Sequence, residues 1–249
     1  MPIHRTLDDG VAVLGLDLGR GNAIDHPFVD ALSEALDQTL EGGARAVVLT
    51  GRGKVFSSGL DLLTIHAYDR TAMSRFVDAF DGLFHKVLAF PRPVVAAVNG
   101  HALAGGCILA MAADVRVMAE GAFQIGVTEV ALGLPFPAAA FEIVRRCTPS
   151  ALAATVFLEG RRFSPGEALA AGIVDRVTDD PVSMAKEQAR RFAANAVEAV
   201  ADTKADLVAP VIARIEATRE ARRERFLDRW FAPDAQARIS ALRERLVKK

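Results

Sequence analysis

Two short glycine-containing loops and one glutamate are the residues whose types and spacing could do chemistry. The first loop is Ser57-Ser58-Gly59-Leu60, followed by Asp61; the second is Ala104-Gly105-Gly106, which opens an apolar stretch ending at Ala113. Each precedes a helical pattern, so each leaves backbone N–H groups without an intrahelical acceptor, at the end of a helix where the dipole favours negative charge. If the strands leading into the loops are neighbours, two of these N–H groups converge on one oxygen. That is the design of an oxyanion hole, in which each donor is typically worth roughly 2.7–4 kcal/mol in the transition state. The plainer reading of either loop is a tight strand-to-helix connection that packs closely. Glu129 sits in the otherwise apolar run of residues 125–134. A carboxylate there is either at a surface turn or held in an apolar pocket, where its pKa rises toward the range of a general base. The residues by themselves leave both readings open.

Other chemistries leave no trace. The chain has no Walker A loop, no HExxH, no GxSxG and no cysteine–histidine metal spacing, so no metal site is expected. Of the histidines, only His101 lies in a glycine-rich stretch, where a loop or packing role is the simpler one. A formal net charge of −1 argues against nucleic acid or an anionic membrane as a partner. Cys107 and Cys147 both lie in apolar helical contexts, which suits buried free thiols. No run resembles a signal peptide, no apolar stretch would span a bilayer, and the last residues, Leu246-Val247-Lys248-Lys249, are not an SKL-type address. A cytoplasmic setting is the expectation.

The elements that must position these groups can be read from periodicity. Residues 11–16 follow the turn Asp8-Asp9-Gly10 and read as the second arm of a hairpin begun at residues 3–7. Val29, Leu32, Leu36 and Leu40 mark a helix stopped by Gly42-Gly43. Residues 46–50 and 94–98 are all-apolar runs, as expected of strands buried on both faces. Asp61 opens a helical region, and Met73, Phe76, Phe80 and Val87 mark a long core-facing helix. Residues 115–118 read as a strand, residues 121–126 as extended chain and residues 128–135 as a short turn or helix. Helices are expected at 141–146, 150–158 and 164–171, the last with a capping box at Ser164-Pro165-Gly166-Glu167. Residues 172–177 give a last strand. Everything from 182 onward is helical, with Ile239, Leu242 and Leu246 on one face. The mixed charges of residues 214–229 read as a solvated helix face. The tail shows no core of its own, so its apolar faces must dock on the body or on another subunit.

Taken together, these segments resemble the crotonase (enoyl-CoA hydratase/isomerase) family over nearly the whole chain. FSSGLDL, residues 56–62, is similar to the family's first oxyanion loop, and AVNGHALAGGCILAMAADVRV, residues 97–117, to its second. FQIGVTEVALGL, residues 123–134, resembles the catalytic-glutamate segment, and FSPGEALAAGIVDRV, residues 163–177, the strand-closing motif. The resemblance implies an α/β fold, a spiral of ββα units over residues 1–180. A helical region for trimerisation and pocket covering would follow at 181–249. It implies that the N–H groups of Leu60 and Gly105 hold an acyl-CoA thioester oxygen and that Glu129 is the catalytic carboxylate. Asn22, Ala23, Ile24, Ser58, Asp61, Leu62, Ile108, Leu134 and Pro135 would line the substrate site, and basic residues of the tail would meet the CoA phosphates. Coenzyme A would enter as part of the substrate, with no separate cofactor, and the assembly would be a homotrimer or a dimer of trimers.

One departure from the pattern is informative. Family hydratases carry two glutamates that position water; the later corresponds to Glu129, and the earlier falls at Ile108. Position 108, one turn into the helix, is expected to face the thioester. Isoleucine can neither accept a proton nor orient water, which points to a Δ3,Δ2-enoyl-CoA isomerase working through one carboxylate. Hydration, thioester hydrolysis and non-catalytic acyl-CoA binding are the alternatives.

Overall fold

The structure is a computed structural model describing residues 3–247; Lys248 and Lys249 lie outside the described residues. Two strands, β1 (Ile3–Asp8) and β2 (Val11–Leu16), form the expected hairpin, Ile3 pairing with Leu16. Helix α1 (His26–Glu41) follows, capped by the Asp25 carboxylate, which accepts from the Phe28 N–H at 2.9 Å.

Three similar units then wind the chain. Each sends a first strand to a large sheet and a second to a small one, then a helical segment. The first unit holds β3 (Ala46–Thr50), β4 (Val55–Ser57), α2 (Leu62–Ile65) and α3 (Arg70–Leu88). The second holds β5 (Val94–Val98), β6 (His101–Leu103) and α4 (Gly105–Ala112). The third holds β7 (Val115–Ala119), β8 (Ile125–Gly126), a single turn at Glu129–Leu132, and α5 (Ala138–Cys147). Short helices α6 (Ala153–Phe157) and α7 (Pro165–Ala170) lead to β9 (Arg176–Thr178). The capping box of Ser164 and Glu167 forms at the start of α7.

The large sheet runs β1-β2-β3-β5-β7-β9, parallel beyond the hairpin, and the small one runs β4-β6-β8, parallel throughout. The units therefore stack as a spiral. Asn99 ties consecutive turns together: its Oδ1 accepts from the Gly51 N–H at 2.7 Å and its Nδ2 donates to the Gly53 carbonyl at 2.9 Å.

Alternation in the large sheet fills two cores. Val47, Leu49, Val94, Ala96, Val98 and Met118 face the main core with α1, α3, α4 and α5. Val11, Ala46, Val48, Val95, Ala97 and Val117 face the small residues Ala185, Ala189 and Ala193 of α8 (Pro181–Ala193). Small side chains let that helix lie close on the sheet. The tail continues as α9 (Val197–Trp230) and α10 (Pro233–Val247). Through Val208, Val211, Ile215, Phe226, Leu227 and Trp230, α9 joins the main core. The tail thus docks on the body.

Three differences from the sequence reading have plain causes. Strands β4, β6 and β8 are two or three residues long, too short for alternation to appear. The last strand starts at Arg176 rather than Gly172, because residues 172–174 close α7: Gly172 is left-handed at φ 69°, and the Ile173 and Val174 N–H groups donate to the Ala168 carbonyl at 2.9 and 3.2 Å. The charged stretch 214–229 is also more than a solvated face. Arg214 pairs with the buried Glu142 at 2.9 Å, Arg223 with Asp78 at 3.1 Å, and the Arg222 guanidinium lies 3.9 Å from the Phe141 ring centroid. Long arginine stems cover apolar surface while their heads find partners on α3 and α5.

Candidate active site

The two glycine loops meet because β4 and β6 are neighbours, Val55 pairing with His101 and Ser57 with Ala102. Gly59, at φ 85°, lies so close to the second loop that a Cβ there would sit 2.8 Å from Ala104 Cβ and 3.0 Å from the Gly105 nitrogen. A Cβ on Gly106 would sit 2.2 Å from the Ser57 carbonyl oxygen. Both glycines are therefore demanded by backbone approaching backbone. Ala104 adopts φ 49° and ψ −125°, a conformation that ordinarily costs about 1–3 kcal/mol outside glycine. That turn is held by the Ala104 N–H donating to the Gly126 carbonyl at 2.9 Å. Among the described residues, the Leu60 and Gly105 N–H groups donate to no protein acceptor.

The first loop is braced from behind. The Ile24 N–H donates to the Gly59 carbonyl at 2.8 Å and the Asp61 N–H to the Ile24 carbonyl at 2.9 Å. Asn22, at φ 49°, donates from Nδ2 to the Phe56 carbonyl and accepts the Leu18 N–H on Oδ1. Asp61 caps α2 through the Leu63 and Thr64 N–H groups.

A cavity of about 740 Å³ opens in front of these loops. Among the residues expected at the site, the structure brings Ala23, Ser58, Leu60, Asp61, Leu62, Glu129 and Leu134 to its wall. Asn22, Ile24, Gly105, Ile108 and Pro135 do not form wall. Asn22 and Ile24 are turned inward to hold the loop, and Gly105 has only backbone to offer. Ile108 is 1% exposed, packed in the main core rather than facing the cavity, which corrects the expectation for its side chain. The sequence reading missed Phe28, Leu103, Leu132, Leu242, Leu246, Arg20 and Arg162 at the wall. Leu242 and Leu246 shared a face with Ile239 in the sequence, and that face was the available signal. The tail contributes these leucines to the cavity, whereas the basic residues on the wall, Arg20 and Arg162, come from the body.

Glu129 resolves in favour of the pocket. It is 7% exposed, and its Oε2 is buried with no hydrogen-bond partner. Burial pushes its carboxyl up to about 7, against the lowering effect of its own N–H and that of Thr128. The carboxylate is thus poised near neutrality. Its turn is closed by the Leu134 N–H donating to the Glu129 carbonyl at 3.1 Å, with Gly133 left-handed at φ 77°. His101 takes a packing role: Nδ1 accepts from the Gln124 N–H at 3.1 Å and the ring meets Phe123 edge-on. Cys107 and Cys147 are free thiols, and burial pushes both pKa values up. No group of side chains suited to a metal ion occurs among the described residues. No helix among them is long and apolar enough to cross a membrane.

Spiral, paired loops, buried carboxylate and apolar cavity define a crotonase-type acyl-CoA enzyme. The chain belongs to the enoyl-CoA hydratase/isomerase family, whose model matches residues 6–246. It is 39% identical over 202 residues to a Thermus thermophilus protein carrying a provisional enoyl-CoA hydratase name, covering 78% of this chain and 79% of that one. Among solved structures, it is similar to human mitochondrial delta3-delta2-enoyl-CoA isomerase, with a TM-score of 0.94 and 27% identity, covering 100% of this chain and 99% of that one. It is also similar to an enoyl-CoA hydratase from Mycobacterium ulcerans, with a TM-score of 0.84 and 31% identity, covering 91% and 100%.

Proposed function

We propose that the chain is a Δ3,Δ2-enoyl-CoA isomerase. The observation that carries this reading is that, among the described residues, Glu129 is the one buried carboxylate on the cavity wall: its Oε2 has no hydrogen-bond partner, and it shares that wall with Phe28, Leu62, Leu103, Leu132, Leu134 and Leu242. Nothing at position 108 can share a water with it.

A lone base suffices for a proton shuttle. The C2 proton of a 3-enoyl thioester is acidified by both the carbonyl and the double bond. Glu129 takes that proton, and the electron pair moves into a dienolate whose oxygen is met by the Leu60 and Gly105 N–H groups. Glu129 then returns the proton to C4, leaving the 2-trans-enoyl thioester. Atoms and charge balance without water. Ala23 and Ser58 face the pantetheine in this arrangement, and Arg20 and Arg162 supply positive charge for the CoA phosphates. A homotrimer or a dimer of trimers accompanies this reading.

Hydration is the second reading, favoured by the hydratase names of the relatives. One assay separates the two. The purified protein is given 3-enoyl-CoA and, separately, 2-trans-enoyl-CoA, with products identified by mass and chromatography. Conversion of the first without gain of water supports the isomerase. Rapid addition of water to the second replaces it with the hydratase. Ile108→Glu alone is expected not to yield an efficient hydratase, because position 108 packs in the core and water needs further support.

A further inference from the structure

Asp81 is a buried carboxylate that the proton shuttle does not use. It lies on α3, is 2% exposed, and turns both oxygens to the start of α5. Its Oδ1 accepts from the Ala139 and Ala140 N–H groups at 3.1 and 3.4 Å, and its Oδ2 from the Ala139 N–H at 3.1 Å. The residue at the N-cap of α5 is Pro137, which offers no capping side chain. The helix therefore takes its cap from a residue 58 positions earlier in the chain. Burial pushes Asp81 up to about 6, opposed by the α5 N–H groups and by Arg219; Arg222, also on α9, is the other cation whose charge couples to it.

The place of this cap in the fold gives it a consequence for the site. The Glu129 turn hangs between two anchors. On one side is β8, held by β6 and by the reciprocal Ile125–Phe163 hydrogen bonds at 2.8 and 3.0 Å. On the other is the start of α5, reached from Leu134 through Pro135, Phe136 and Pro137. Two prolines with fixed φ make that link stiff, so displacement of α5 passes to the turn. The neighbouring residue, Phe80, faces the other half of the site: a Cβ on Gly105 would meet its ring at 3.3 Å. Consecutive residues of α3 thus touch the oxyanion glycine and the anchor of the glutamate.

We propose that Asp81 is a positioning residue, which by gripping the N-terminus of α5 from α3 fixes the Glu129 turn relative to the Gly105 loop. The inference rests on Glu129 being the base. The loops that would face CoA, at Ala23 and Ser58, are tied to each other at β4, Asn22 Nδ2 donating to the Phe56 carbonyl and Ser57 Oγ to the Asn22 carbonyl, with no hydrogen bond to α5 among the described residues, so the effect is expected on turnover rather than on binding.

The test compares Asp81→Ala and Asp81→Asn with wild type, in whichever enoyl-CoA reaction the wild type performs and Glu129→Gln abolishes. Asp81→Ala is expected to lose at least about tenfold in kcat, since misplacement by about 1 Å can cost about a hundredfold. KM and the Kd for free CoA should stay within about twofold. Asp81→Asn keeps one acceptor and should lose only about two- to fourfold. If Asp81→Ala does not fold, Asp81→Asn bears the comparison. Unchanged kcat, or a loss matched by an equal loss of CoA binding, overturns the proposal. Hydrogen exchange gives a readout independent of the reaction: amides of residues 129–134 should lose protection in Asp81→Ala relative to those of α4. Equal protection overturns the proposal even if the wild type turns over neither thioester, an outcome that would instead remove the isomerase reading.

Discussion

Glu129 ties activity to stability in a way that one substitution exposes. A carboxyl moved from its ordinary 4.5 to about 7 by burial favours the protonated form in the folded state. The folded protein then binds more protons than the unfolded chain between those values, so stability falls as pH rises through that window. The shift corresponds to about 3 kcal/mol, fully expressed above pH ~7 and absent below pH ~4. A glutamine side chain cannot ionise, so Glu129→Gln lacks this dependence. Its amide leaves an unpaired polar group in place of Oε2, at a cost of about 1–3 kcal/mol that does not vary with pH. The stability difference between variant and wild type should therefore move by about 3 kcal/mol in favour of the variant from pH 4.5 to pH 8. Urea unfolding of both proteins at four pH values reads it directly. Over the same range, wild-type kcat/KM should rise with pH and level off above about 7, because the base works ionised. The variant should lose about 10²–10⁴ in kcat while binding acyl-CoA nearly as before. A stability difference that is flat with pH would refute the buried, poised carboxylate. An unchanged rate would refute its role as the base.

Three further outcomes follow from the packing. Gly106→Ala places a Cβ 2.2 Å from a backbone oxygen that cannot step aside, so it should cost more than about 2 kcal/mol in urea unfolding and lower kcat by displacing the first loop. Leu242→Trp adds bulk to the cavity wall, so kcat/KM should fall more for long acyl chains than for short ones, as read from a series of enoyl-CoA lengths. Lys204→Met breaks a pair between a buried lysine and the half-buried Asp114, in which Nζ donates to Asp114 at 2.7 Å and to the Arg92 carbonyl at 3.1 Å. It should cost about 3 kcal/mol in thermal unfolding while leaving kcat intact, because the pair lies away from the cavity.

What the sequence revealed and what it hid divide along the range of the interactions. The hairpin, the two-faced strands at 46–50 and 94–98, the long α3 and the capping box at Ser164 are written in local periodicity, and the structure has each of them. The motifs around Gly59, Gly105 and Glu129 were legible as a resemblance, whereas whether Glu129 lay in a pocket or on a surface turn was not. The cavity it borders is assembled from separated stretches, with Phe28, Leu103 and Leu242 on its wall. Strands β4 and β6 were hidden because three residues carry no usable alternation, yet their pairing brings the two loops together. Ile108 was misplaced for a related reason. A helical turn fixes which residues share a face, and only the packing of α4 against α3 and α5 fixes which face meets the cavity.

Asp81 shows the same limit from the opposite side. Within its own helix it is one acid among apolar residues at 76, 80, 83, 84 and 87, and its helical neighbours give it no partner. Its partner is an absence elsewhere, the missing cap of a helix that begins after Pro137. A sequence displays a cap when the capping residue is local, as at Ser164 and Asp25. When the cap is borrowed across the fold, it displays only an unexplained buried acid and an uncapped helix, and the two are joined by folding alone. Because the uncapped helix here follows the proposed base within a few residues, the borrowed cap couples the scaffold of one glycine loop to the aim of the carboxylate facing it.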